Sequence, residues 1–143
     1  MDIKDMLSQP KNWMIVSSVV VVFMLGIGPM MVDSGDLANM AEDEFGEFYT
    51  NASDADKETI EESVEMDAYF FGATNIALAL FILGFAFLTE GTTRSKSAVF
   101  CGVSLILWAI YSQGELDMGA LGFYSVVSAP MIIAGALNLK GDE

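Results

Sequence analysis

Histidine is absent from the 143 residues. That removes His-based acid–base catalysis, His-held haem, the usual zinc and copper sites and any Ser-His-Asp triad. Cysteine occurs once, at Cys101, so neither an intramolecular disulfide nor a thiolate cage for a metal can form within the chain. Basic residues are also few: six Lys and Arg stand against twenty Asp and Glu, for a formal net charge of −14. A chain this acidic is a poor partner for nucleic acid, because phosphate binding draws on Lys and Arg.

What the chain has in excess is apolar residues. They make up 53% of the sequence, against 18% charged, and mean hydropathy is +0.47. High charge and high hydropathy must therefore occupy different stretches. Four runs carry no charge at all: Asn12–Val32, Ala68–Thr89, Ser97–Gly114 and Met118–Leu139. At a rise of ~1.5 Å per residue each approaches the ~30 Å of a bilayer core. The expected fold is an all-α integral membrane protein: one membrane domain over residues 1–143, with four spans in an antiparallel bundle. The short links at Gly91–Lys96 and Glu115–Asp117 force neighbouring spans antiparallel. The first run exceeds the apolar region of a signal peptide and no small-x-small site follows it directly, so it is expected to stay as a span.

Charge sets the expected orientation. With a cytoplasmic N-terminus, Lys4, Lys11, Arg94, Lys96 and Lys140 lie inside and only Lys57 outside, as the positive-inside rule requires. Both termini are then cytoplasmic and residues 33–67 extracytoplasmic, in a multi-pass protein of the cell membrane. Fifteen of the twenty acids fall outside, and the inside segments sum to zero. The acidity thus belongs to an outer segment rather than to a salt-adapted composition. Trp13 near the inner end, and Tyr69, Trp108, Tyr111, Phe123 and Tyr124 near the outer ends, fit an interfacial aromatic belt.

The acidic segment has helical periodicity. Leu37, Met40, Ala41, Phe45, Phe48 and Tyr49 share a face, weakened at Gly46. Leu37, Met40, Phe45 and Phe48 form a candidate docking face. Ser53 and Asp56 resemble a helix-start signature, and Ile60 and Val64 continue a helix through Asp67 into the second span. Asp54, Asp56, Glu58 and Glu65 fall at positions of a calcium loop, but the required glycine is replaced by Thr59. A solvated helix face, with at most weak binding of divalent cations, is the expected reading. Asn51-Ala52-Ser53 is a candidate glycosylation sequon at Asn51.

No span carries Asp, Glu, Lys or Arg, which argues against proton relays and ion-coupled pumps. The candidate intramembrane polar cluster is Asn75, Ser104, Ser125 and Ser128. Gly72, Ala73, Ala77 and Ala79, with Ala129, Ala134, Gly135 and Ala136, let helix backbones approach closely, within the chain or between protomers. Pro130 breaks one backbone hydrogen bond in the last span.

Trp108, Leu116-Asp117, Leu121-Gly122-Phe123-Tyr124-Ser125 and Pro130, with Phe70-Phe71-Gly72, give Ala68–Pro130 a resemblance to the amide/urea channel family. Ala68-Tyr69-Phe70-Phe71-Gly72 equally resembles uncharacterised four-helix membrane proteins. The channel resemblance implies a path for a small neutral solute. That family has six spans and acid-gating histidines, however, and this chain offers four apolar runs and no histidine. The reading from the residues themselves is a non-enzymatic membrane subunit without a cofactor, with no nucleophile–base pair to make it an enzyme. It would self-assemble or join other membrane subunits in the lipid bilayer, and its acidic outer segment would dock a partner. A channel for urea or an amide is the alternative.

Overall fold

The computed structural model describes residues 7–112 and 118–139. The expected link at Glu115–Asp117, with Leu116, lies outside the described residues, as do the terminal charges Asp2, Lys4, Asp5, Lys140, Asp142 and Glu143. Among the described residues the fold is helical, with no strand. The elements are α1 (Pro10–Met30), α2 (Ser34–Phe45), α3 (Glu47–Thr50), α4 (Asp54–Leu88), α5 (Gly91–Ser112) and α6 (Met118–Leu137). Three of them, α1, α4 and α5, are long and apolar enough to cross a membrane.

The chain divides into two compact units, 1–20 with 78–143, and 21–77.

In the first unit, α6 packs along α5 and along the start of α1. Gly102 faces Ser128 and Ile132, and Gly135 faces Ser95 and Val99. Residue numbers thus rise along α5 as they fall along α6. The same holds for α1 against α6. The Ser17 hydroxyl donates to the Val127 carbonyl at 2.8 Å, and the Asn138 amide donates to the Ser8 carbonyl at 2.7 Å. Small side chains recur on the buried faces, with Ser95, Ala98, Gly102 and Ala109 on α5. Close approach of this kind gains dispersion contacts that larger side chains would prevent. The expected loop at Gly91–Lys96 is instead the opening of α5, and the link shrinks to Thr89 and Glu90. Its polar residues suggested a loop, but Thr, Arg, Ser and Lys all enter a helix when its first turns need no apolar face.

The second unit holds the acidic segment. Asp33 caps α2, its carboxylate accepting from the Gly35 and Asp36 amides at 2.9 and 3.0 Å. Such a cap contributes ~1 kcal/mol. The periodic face continues past Phe45, but Gly46 takes a positive φ of 54° and divides it into α2 and α3. Ser53 opens α4 as the sequence suggested: its hydroxyl accepts from the Asp56 amide at 3.3 Å and donates to the Asp56 carboxylate at 2.6 Å. The helix then runs unbroken for 35 residues through Asp67. Leu37, Ala41, Tyr49 and Val64 form a small core, flanked by Val32, Ala38 and Ile60.

Within α1, Val21–Ile27 is π-helical. Pro29 lacks the N–H that would close an ordinary turn onto Leu25, and the wider turn just before it absorbs the mismatch. From this end of α1, Gly26 and Met30 lie against Gly72, and Ile76 against Gly26.

Candidate functional site

The four polar residues marked out in the spans fall in different surroundings. Asn75, in the second unit, is fully buried on α4, and its amide donates to the Phe71 carbonyl one turn back at 2.9 Å. Ser104, Ser125 and Ser128 belong to the first unit. Ser104 and Ser125 are half-buried. Ser104 edges an apolar cavity of about 190 Å³ with Leu78, Phe81, Phe100 and Cys101. Ser128 is fully buried, and its hydroxyl has no hydrogen-bond partner. A buried hydroxyl left unpaired costs ~1–3 kcal/mol in a protein interior. Ser17 and Ser18 are buried polar residues that the sequence reading passed over. Ser18 donates to its own helix at Met14, whereas Ser17 ties α1 to α6. The only hint of them was a Ser-Ser pair inside an apolar run.

The candidate docking face is not one surface. Leu37 is turned into the small core, with Met40 and Phe45 partly exposed and Phe48 71% exposed. Phe48 instead borders a groove of about 560 Å³ with Glu47, Asn51, Asp56, Thr59 and Ile60. Asn51 itself is exposed, in the turn after α3, and its amide donates to the Glu47 carbonyl at 2.9 Å. Asp54, Asp56, Glu58 and Glu65 all lie on α4, and helical backbone does not wrap an ion as a calcium loop does. Among the described residues no group of three or more Asp, Glu or Cys side chains is placed to hold a metal ion.

The acidic segment contains one strong polar contact. The Tyr49 hydroxyl donates to the Glu61 carboxylate, joining α3 to α4, while the Lys57 ammonium sits 5.4 Å from the Tyr49 ring centre. The bond to Glu61 is the main reason that the phenol is pushed up to about 12, with burial and the negative charges of Glu61 and Glu42 adding to it. The folded state therefore holds this proton more tightly than the unfolded chain. Its stabilisation is complete below pH 10 and is lost as pH rises through about 12. In an absorbance titration Tyr49 is expected to ionise only near pH 12, and that contribution should vanish in Tyr49→Phe. A Tyr49→Phe titration with the late step intact would dismiss the contact.

Of the residues assigned to an aromatic belt, Tyr69 and Tyr111 are 46% and 80% exposed, whereas Tyr124 is 1% exposed. Periodicity placed Tyr124 at a helix end without showing that the end is covered. No protein-family model, curated protein or solved structure matches the chain. The functional reading accordingly rests on its own residues.

Proposed function

We propose that the chain is a non-enzymatic, multi-pass subunit of the cell membrane, with both termini cytoplasmic and its acidic outer segment docking a basic partner. The four spans form an antiparallel bundle. Large apolar side chains turned outward support the membrane reading, among them Phe23, Leu88, Phe100, Leu107 and Leu137, all at least 60% exposed. The 20 uncharged residues of α6 support it as the fourth span. A helix of 35 residues, at ~1.5 Å each, exceeds a ~30 Å hydrocarbon core by some 20 Å, so the acidic start of α4 stands clear of the lipid.

The observation that carries the docking reading is the groove at Phe48 and Ile60, where an exposed aromatic ring is flanked by Glu47 and Asp56. An apolar anchor within a rim of one charge suits a basic amphipathic segment. Small residues give less support to self-assembly than they did in the sequence, because Gly72 and Gly135 already meet neighbours within the chain.

Two measurements test the proposal. A cysteine at Asp56 should react with an impermeant reagent in intact cells, and one at Arg94 should not; the reverse would sink the orientation. Neutralising Glu47 and Asp56 together should weaken partner capture, and raising salt should do the same, since exposed charges are screened beyond ~8–10 Å. These point changes spare Glu61 and Val64, which hold the segment together. Capture that withstood both would show the charge to be solvation alone.

The second reading, a path for a small neutral solute such as urea, is favoured by the unpaired Ser128 hydroxyl. It requires urea flux in protein-containing vesicles that falls in Ser128→Ala with assembly unchanged.

A further inference from the structure

In the first unit a cavity of about 180 Å³ lies between the start of α1, the start of α5 and the end of α6. Its lining includes Gln9, Lys11, Gly91, Arg94, Ser95 and Asn138. Two of the six basic residues of this acidic chain thus face one small space. Among the described residues, neither has a carboxylate partner. The Lys11 ammonium rests 4.7 Å from the centre of the Phe87 ring, a contact that holds a cation in place and leaves its charge intact. The Nε of Arg94 is buried with no hydrogen-bond partner. Guanidinium stays protonated in proteins, so this is a charged donor left unpaired. Leaving such a donor buried is costly unless something else accepts its proton.

The backbone adds to the same field. α5 starts at Gly91, which takes a positive φ of 51°, and its first ladder bond is Arg94 N–H to Glu90 carbonyl at 3.2 Å. The amides of Gly91, Thr92 and Thr93 therefore precede that ladder and carry the positive end of a helix of 22 residues. The Glu90 side chain is exposed and is not among the lining residues. Asn138, which lines the cavity, is held by its bonds to the Ser8 and Ala134 carbonyls at 2.7 and 2.8 Å. The space is far larger than one water needs.

We propose that this cavity binds a phosphate group, taken from an anionic lipid headgroup or from free phosphate. A fork of guanidinium donors, an ammonium and a helix N-terminus together match a tetrahedral oxyanion better than a carboxylate-free cavity matches any cation. Basic pockets between spans take phospholipid headgroups by the same chemistry. The assignment does not depend on the docking role of the acidic segment, and its failure would leave that role untouched.

The test uses the full chain in detergent, incubated separately with phosphatidylglycerol, phosphatidylcholine and inorganic phosphate, with retained ligand read by native mass spectrometry. Wild type should retain phosphatidylglycerol or phosphate. Arg94→Gln should lower that retention about tenfold, the loss of one charged hydrogen-bonding partner. Lys11→Gln should lower it as well, and Arg94→Lys should fall between. Lys96→Gln removes the same charge from an exposed site on the same helix and should leave retention unchanged. Elution volume and helicity matching wild type will establish that each variant is folded. Retention of phosphatidylglycerol that millimolar phosphate fails to displace identifies a headgroup site. Retention of phosphate with no preference between the two lipids identifies a free-phosphate site. Absence of both ligands from wild type, or an equal loss in Arg94→Gln and Lys96→Gln, overturns the proposal.

Discussion

Gly135→Ala is expected to destabilise the first unit by about 1–3 kcal/mol, within the range for overpacking, while Gly122→Ala on the same helix should be neutral or slightly stabilising. The chemical change is one methyl group in both cases. At Gly135 that methyl would sit 2.7 Å from the Ser95 carbonyl oxygen, 2.9 Å from a Val99 methyl and 3.1 Å from the Val99 amide nitrogen. Two of the three are backbone atoms of α5, and they cannot turn aside as a side-chain end can. The helices must separate, and the contacts along their seam are lost together. At Gly122 nothing lies within 4 Å, so only the better helix propensity of alanine remains, worth up to ~1 kcal/mol. Denaturant unfolding in mixed micelles, followed by Trp fluorescence, would compare the two. A Gly135→Ala protein as stable as Gly122→Ala would mean that α5 and α6 do not approach as described.

The turn from acidic segment to apolar run was legible in the sequence, and for clear reasons. Ser53 before Asp56 is a local signal, complete within one helical turn, and the structure forms it with both hydrogen bonds. Gly46 interrupts a periodic face, and the helix breaks there. Such features need no knowledge of what packs where. Tertiary cover was not legible. Leu37, Met40, Phe45 and Phe48 share a periodicity, yet the core takes Leu37 and leaves Phe48 bare, because periodicity names a face and not its neighbour. The polar run Gly91–Lys96 looked like a loop, since polarity marks exposure and exposure is common to loops and helix ends. The π-helical stretch of α1 is a shift of register, which hydropathy along an apolar run does not reveal.

The candidate sites divide in the same way. Asn75 was identified in the sequence because an amide in an apolar run stands out, and it is buried as such a residue should be. The cavity at Lys11 and Arg94 was not, although both residues entered the charge count. They lie on different helices far apart in the sequence, and only the fold sets them around one space. Charge arithmetic assigns both to one side of a membrane; it says nothing of whether a carboxylate stands nearby.

The second unit offers a sharper test, because the obstacles to its two facing glycines differ in kind. A methyl at Gly72 would meet the Gly26 carbonyl oxygen at 2.5 Å and the Met30 side chain at 2.5 and 3.1 Å. A methyl at Gly26 would meet the Ile76 side chain, Cγ1 at 2.6 Å and Cδ1 at 3.3 Å, and backbone only at 3.6 Å. Both substitutions are expected to destabilise, Gly72→Ala by ~3 kcal/mol at the upper end of overpacking and Gly26→Ala by ~1 kcal/mol. Their response to a second change should separate them. Ile76→Ala removes the only close obstacle at Gly26, so the pair Gly26→Ala/Ile76→Ala should be more stable than the separate effects imply. Met30→Ala clears part of the space at Gly72 but leaves the Gly26 carbonyl in place, so Gly72→Ala/Met30→Ala should recover little. The coupling energy from each double-mutant cycle is the quantity to measure. Strong recovery by Met30→Ala would show that the Gly26 carbonyl is not against Gly72, and the pairing of α1 with α4 would have to be redrawn.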